Sequence, residues 1–183
     1  MPDPEEQAYS LFADAVAAIE QKDVQGALAG VQAALELAPD VILFRRFLAS
    51  IYRGTERWPE AVEQFRWLVQ HEPIIDNVAA LGACLLGAGE GEEGVRLLRW
   101  VVDQYPGYVD LRLQLADYFR ENGDFDAAII ELSQALVVEQ DEPWVYQMLS
   151  ECYRAVGRQA EADRWATEAR ACRERMQPEV RLF

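Results

Sequence analysis

Leu115-Ala116-Asp117-Tyr118-Phe119-Arg120-Glu121-Asn122-Gly123-Asp124-Phe125-Asp126-Ala127-Ala128 is the stretch whose reading decides the fold. An aliphatic-small pair, Leu115-Ala116, is followed one helical turn later by bulky Phe119, which gathers all three on one side of a helix. Asn122-Gly123-Asp124 then supplies a turn. Beyond it Ala128 opens a second apolar run that Leu132 and Ala135 continue at helical spacing. The same layout recurs on both sides. The aliphatic-small slot reads Asp14-Ala15, Leu48-Ala49, Leu81-Gly82, Leu115-Ala116 and Leu149-Ser150, at intervals of 34, 33, 34 and 34 residues. The second small slot reads Ala27, Ala61, Gly94, Ala128 and Ala162, at the same intervals. Two distant slots keeping one register at a period near 34 mark helix-turn-helix repeats stacked into a solenoid, an architecture whose usual product is a binding surface.

Local signals place the helices. Asp3-Pro4-Glu5-Glu6 reads as a helix start, with Asp3 as cap, proline in the first position and two carboxylates facing the positive end of the dipole. This helix is predicted to run to about Glu20. Lys22-Asp23 makes the turn, and Val24 to Leu37 forms the antiparallel partner before Pro39 stops it. Further pairs are predicted near 42–54 and 58–70, 75–87 and 91–104, 109–121 and 125–138, and 143–155 and 159–176. Pro73 and Pro106 close the second and third copies, and Val156-Gly157-Arg158 turns the fifth. Connections this short leave no room for strands, so an all-α chain is expected. The copies span about residues 8–41, 42–74, 75–108, 109–142 and 143–176, with 177–183 as a C-terminal tail, and are expected to form one array.

Composition narrows the function classes. The chain of 183 residues is 51% hydrophobic and 27% charged, which suits a folded domain with a sizeable core. A net charge of −15 repels polyanions at long range, so neither nucleic acid nor an anionic membrane surface is an expected partner. The acidity either steers a basic partner inward or simply keeps a solvated exterior. Cys84, Cys152 and Cys172 are an odd set without Cys-x-x-Cys spacing, which argues against a disulfide framework and against a zinc site. The start, Met-Pro-Asp-Pro-Glu-Glu, lacks the basic and apolar segments of a secretory signal, and no apolar run approaches the ~20 residues of a membrane span. Cytoplasm is the expected compartment.

These residues resemble the tetratricopeptide repeat family, whose pattern sets a large residue, Leu-Gly and Tyr in the first helix, then Ala, Phe, Ala and Pro through the second. Copy two carries Leu48, Ala49, Tyr52, Ala61, Phe65 and Pro73; copy three Leu81, Gly82, Leu85, Leu98, Val101 and Pro106; copy five Leu149, Ser150, Tyr153, Gly157, Ala162 and Ala169. The resemblance covers about residues 8–176 and implies a right-handed α-solenoid of five repeats and about ten antiparallel helices. Copy one departs from it, with Asp14 in the leucine slot and Ala18 in the tyrosine slot, as suits a terminal unit with fewer neighbours. Copy three departs with Gly82, Gly87, Gly89, Gly91 and Gly94. Either these make it the least stable copy and a hinge, each interior helical glycine costing up to about 1 kcal/mol, or they serve the turn and close helix contact.

The resemblance also implies a partner surface, because first helices of such repeats line the inner face. The inward positions are Tyr9, Phe12 and Val16 in copy one; Leu43, Arg46, Ser50 and Arg53 in copy two; Asp76, Ala79, Ala83 and Leu86 in copy three; Asp110, Leu113, Asp117 and Arg120 in copy four; and Trp144, Gln147, Glu151 and Arg154 in copy five. Ala79 and Ala83 leave the middle of this groove shallow, with Leu43, Leu86 and Leu113 around it. Arg46, Arg53, Arg120 and Arg154 either clamp a partner's carboxylates, as guanidinium forks do well, or pair with neighbouring Asp110, Asp117 and Glu151. The lysines and asparagines that hold a terminal carboxylate in some family members are missing, their places taken by Phe12, Val16, Ser50, Ala79 and Ala83. An apolar or amphipathic segment is the expected occupant. Trp67 and Trp100 occupy equivalent slots in second helices and either form an outer docking patch or pack along neighbouring helices. Trp58, in a turn slot, reads as structural.

No catalytic arrangement, metal or cofactor is expected. His71 sits at a helix end without a nucleophile or carboxylate partner. Gly87 to Gly91 follows a helix and lacks the trailing lysine of a phosphate loop. Asp124-x-Asp126 lacks the other ligands of a calcium loop, and Glu92-Glu93 suits a helix start. The sequence therefore points to a non-enzymatic module, an adaptor or assembly chaperone holding a protein or peptide partner in its groove. Two alternatives stay open: a secretion-type chaperone for an exported substrate, and a structural subunit that forms a homodimer through copy five and the tail Glu179-Val180-Arg181-Leu182-Phe183.

Overall fold

Asp3 opens the first helix as its residue type dictates, its carboxylate accepting from the Glu5 N–H at 3.3 Å while Pro4 takes the first helical position. The computed structural model describes residues 3–138 and 142–176; the tail proposed above as a contact element lies outside them. Ten helices follow in order: α1 (Pro4–Glu20), α2 (Val24–Leu37), α3 (Ile42–Gly54), α4 (Trp58–His71), α5 (Ile75–Gly87), α6 (Gly91–Gln104), α7 (Val109–Glu121), α8 (Phe125–Val138), α9 (Pro143–Ala155) and α10 (Gln159–Met176). There is no strand among the described residues. The fold is all-α, built of helix-turn-helix repeats of the solenoid class. Among the described residues no helix is long and apolar enough to cross a membrane.

A third periodic slot emerges at the turn inside each repeat. Lys22, Glu56, Gly89, Gly123 and Gly157 all have left-handed backbone, with φ of 62°, 56°, 81°, 77° and 77°. The next residue in each case donates its N–H to the carbonyl five residues back: Asp23 to Ala18 at 2.8 Å, Arg57 to Tyr52 at 2.9 Å, Glu90 to Leu85 at 2.9 Å, Asp124 to Phe119 at 2.8 Å and Arg158 to Tyr153 at 2.9 Å. This closure satisfies carbonyls that the end of a first helix would otherwise leave bare. The second helix is then capped in copies one and four by Asp23 and Asp124, whose carboxylates accept from Gly26 N–H at 2.9 Å and Ala127 N–H at 3.1 Å.

The chain groups into two compact units, Met1–Leu97 and Leu98–Phe183. In the first, α1 packs on α2, α2 on α3, α3 on α4 and α4 on α5. Its core is Val31, Phe44, Leu68 and Leu85, all fully buried, with Phe12 stacked on Phe44 at 4.7 Å and Tyr9 edge-on to the same ring at 5.1 Å. In the second unit α7 packs on α8, α8 on α9 and α9 on α10, around fully buried Leu115, Leu132, Leu149 and Cys152. Burying each leucine contributes roughly 1.5–3 kcal/mol. Asp14, in the slot where Leu48, Leu81, Leu115 and Leu149 are buried, is exposed.

Turn placement and close contact account for three glycines of copy three. Gly89 takes the left-handed turn. A Cβ on Gly94 would stand 2.9 Å from the Gly82 carbonyl oxygen, so α6 lies directly on the α5 backbone there. A Cβ on Gly87 would meet the Trp58 ring at 2.6 Å, which gives that tryptophan its structural place.

Candidate functional site

The face of α3 that carries Leu43, Arg46, Phe47, Ser50 and Arg53 at helical spacing forms one wall of a cleft of about 450 Å³ in the first unit. Phe12 of α1 and Phe65 of α4 extend its apolar surface, and Ile74, Asp76, Asn77 and Ala80 close it from the start of α5. Leu43 and Ile74 are 49% and 40% exposed, so apolar surface stands open to solvent. Ser50 spends its hydroxyl on its own helix, donating to the Phe47 carbonyl at 2.7 Å, which keeps that point of the wall small. Arg46 is ion-paired with Glu72 at the rim. Buried Asn77 donates to the Glu72 carbonyl at 2.8 Å and braces the same corner. Arg53 lies over the Phe65 ring at 6.0 Å and makes no ion pair among the described residues.

Of the sequence-predicted positions, Phe12, Leu43, Arg46, Ser50, Arg53 and Asp76 come together in this cleft. Tyr9 packs on Phe44 instead, and Val16 and Leu86 are half-buried outside the lining. From this stretch of α5 the cleft is lined by Ala80, 8% exposed, whereas Ala79, 7% exposed, and half-buried Ala83 lie outside the lining. Helical side chains lean toward the N-terminus of their helix, so a given spot is covered by a residue about one position further on. That offset also brings in Phe47 beside Arg46 and Asn77 beside Asp76.

The second unit holds the other predicted positions in two smaller groups. Asp110, Leu113 and Trp144 line a cleft of about 230 Å³ with Val109, Ala135, Glu142 and Val145. The Trp144 indole N–H donates to Glu142 Oε2 at 2.9 Å. Gln147, Glu151 and Arg154 line another of about 440 Å³ with Ser150 and, from α10, Ala166, Ala169, Arg170 and Arg173. Arg120 pairs with Asp117 at 2.9 Å and lies 3.8 Å from Glu151. Pairing with neighbours thus describes Arg46 and Arg120, whereas Arg53 and Arg154 make no ion pair among the described residues.

The two outer tryptophans differ. Trp67 is half-buried in a sandwich, the Arg45 guanidinium 4.2 Å from its ring and the His71 imidazole stacked at 3.7 Å. His71 holds this position by donating from Nδ1 to the Trp67 carbonyl at 2.8 Å. Trp100 is 51% exposed. A polar cluster that the sequence reading passed over lies in the second unit: Arg112, 7% exposed, donates to the Val102 carbonyl at 3.0 Å, to Glu131 at 3.3 Å and to Gln134. Glu131, 3% exposed, also accepts from Arg99 at 3.2 Å. The available signal was a glutamate beside Leu132 in a helix whose other central positions are mostly apolar.

Burial acts on two of the thiols in the same direction. Burial pushes the Cys84 thiol up to about 11, against the smaller opposing pull of the Arg53 charge. Burial raises Cys152 as well. Hydrogen bonding from Arg66 holds the Glu93 carboxyl below the usual range, through contacts at 2.7 and 2.9 Å. No group of three metal-ligating side chains occurs among the described residues.

Known proteins fit this geometry at the level of fold. No curated protein matches the chain. A crystal structure of MamA is 18% identical and superposes with a TM-score of 0.85, covering 97% of this chain and 98% of that one. A second MamA structure, 19% identical, gives a TM-score of 0.75 over 93% and 98%. YrrB, described as a TPR protein with an unusual peptide-binding site, is 17% identical with a TM-score of 0.72, over 92% and 88%. Residues 85–152, from within α5 to within α9, match the family model described as tetratricopeptide repeat. The left-handed turn geometry repeated five times along the chain shows the same helix-turn-helix fold on both sides of the matched residues.

Proposed function

We propose that the chain is a protein-interaction module that holds an apolar or amphipathic peptide segment of a partner in the cleft of its first unit. The observation that carries this reading is the cleft itself, where Leu43 and Ile74 stand exposed beside Phe12, Phe47 and Phe65. Preformed apolar clefts with a few polar groups at the rim are what peptide anchors require. Arg53, without a carboxylate partner among the described residues, adds a place for an acidic side chain flanking the anchor. The peptide-binding site named for YrrB is consistent with such use of the fold. This reading gives the chain no catalytic step.

The test is selection from a random-peptide display library on the immobilised protein, followed by affinity measurement with Leu43→Asp and Ser50→Arg variants. Both positions are exposed, so the helices should survive, which circular dichroism verifies. Selected peptides are expected to carry one or two large apolar residues, and each variant is expected to weaken them at least about tenfold, the worth of one buried aliphatic anchor. Peptides that bind both variants as well as the parent would refute the proposal.

A further inference from the structure

The second unit carries a concentration of positive charge that the acidic chain as a whole does not foreshadow. Arg154 of α9 and Arg170 and Arg173 of α10 line one cleft of about 440 Å³, with Glu151 as the only carboxylate among the described residues that line it. Seven other arginines, from Arg46 to Arg158, each hold a carboxylate of this chain. The three in this cleft hold none among the described residues. Arg173 donates to the neutral amide oxygen of Gln147 at 2.6 Å, Arg154 reaches the Ser150 hydroxyl at 3.4 Å, and Arg170 donates from Nε to the Ala166 carbonyl at 3.3 Å. Each guanidinium has five N–H donors, so most of them remain unused. Gln147 also donates to Glu151 at 3.2 Å, and Glu151 lies 3.8 Å from Arg120, so the contacts of that carboxylate are with Gln147 and Arg120 and not with the three arginines.

We infer that this cleft binds an acidic segment of a partner protein, its carboxylates held by Arg154, Arg170 and Arg173. In a chain of net charge −15, three guanidiniums in one concavity with no carboxylate partner among the described residues are the local exception to which an acidic segment is complementary. Guanidinium forks take carboxylates bidentately, which makes aspartate and glutamate side chains the matching groups. The site belongs to the second unit and is separate from the apolar cleft of the first.

The test is fluorescence anisotropy with a labelled hexaglutamate peptide at low ionic strength, against a hexaglutamine peptide of equal length. The parent is expected to bind hexaglutamate and not hexaglutamine. An Arg154→Gln/Arg173→Gln double variant is expected to lose at least about tenfold in affinity, as each charged hydrogen bond is worth about that much. Arg164→Gln, on α10 but outside the cleft, is expected to leave binding unchanged; all three arginines are exposed, so folding is preserved. Equal binding of the two peptides, an unaffected double variant, or an equal loss from Arg164→Gln would each overturn the assignment. So would displacement by equimolar inorganic sulfate, which would make the cleft a small-anion site.

Discussion

Replacing Glu131 with leucine should destabilise the protein by about 3–5 kcal/mol, because it strands a buried guanidinium. Arg112 is 7% exposed, and Glu131 supplies its only carboxylate among the described residues; without it the cation keeps one backbone carbonyl and the Gln134 amide. Arg112 Nε already has no partner, so the site has no spare acceptor to offer. Arg112→Met should cost less, since Glu131 retains Arg99 at 3.2 Å, a side chain 46% exposed and partly solvated. The double variant Arg112→Met/Glu131→Leu removes both charges and replaces them with apolar volume, and should lie within about 1 kcal/mol of the parent. The cycle therefore predicts a coupling of at least about 2 kcal/mol between the two positions. Urea unfolding followed by circular dichroism measures all four species. A Glu131→Leu cost under about 1 kcal/mol, or a double variant as unstable as the sum of the singles, would refute the claim that the buried charges depend on each other.

Three further perturbations test the packing and the turns. Glu56→Gly should stabilise by about 0.5–1 kcal/mol by removing the penalty of a left-handed non-glycine residue at φ 56°, whereas Gly123→Ala at φ 77° should destabilise by about 1–2 kcal/mol; opposite signs in thermal melts are the expected result. Gly94→Ala should cost about 1–3 kcal/mol despite alanine's better helix propensity, because its Cβ would sit 2.9 Å from the Gly82 carbonyl, and a raised Tm would contradict that close approach. Cys84 keeps its proton in the folded chain up to about 11, while an unfolded thiol loses it near about 8.5. Its contribution is therefore complete below about pH 8.5 and is lost as pH rises toward 11, on the order of 2–3 kcal/mol. The difference in urea midpoint between the parent and Cys84→Ala should shrink over that window, and parallel pH profiles would exclude the effect.

Helix positions were legible because they follow from short-range rules. Asp3-Pro4, the prolines between copies and the 34-residue register of small residues act within a turn or a repeat, and the observed helices begin and end where those signals lie. The turns at Lys22 and Glu56 show where local reading thins: neither residue advertises a left-handed backbone, yet Glu56 lies one period and Lys22 two periods before Gly89. The first-unit cleft was legible along α3, where the four inward positions Leu43, Arg46, Ser50 and Arg53 all line it and only Phe47 was missed, and blurred along α5, where side-chain lean shifts the lining from Ala79 to Ala80. Arg170 and Arg173 were passed over because attention to first helices leaves second helices unread, and α10 supplies half of its cleft. The Arg112 and Glu131 pair joins residues 19 apart in sequence on two helices, a relation that packing creates and spacing alone does not display.

The repeat also gives a way to separate structural arginines from available ones. Arg57 and Arg158 occupy the same slot after the turn and do the same thing: each lies over a tyrosine of the preceding helix, at 4.6 Å from Tyr52 and 4.7 Å from Tyr153, and each bonds a glutamate three residues on, at 2.8 Å from Nε. Arg45 and Arg112 likewise share a slot and reach the same partner positions, Gln64 and Trp67 for one, Glu131 and Gln134 for the other. A side chain whose partners recur at the repeat period is explained by the repeat, whatever its charge. Arg53, Arg154, Arg170 and Arg173 fall outside such recurring ion pairs, and all four line a cleft. Charge left over after the repeat has been accounted for, and only that charge, is what a ligand has available to recognise.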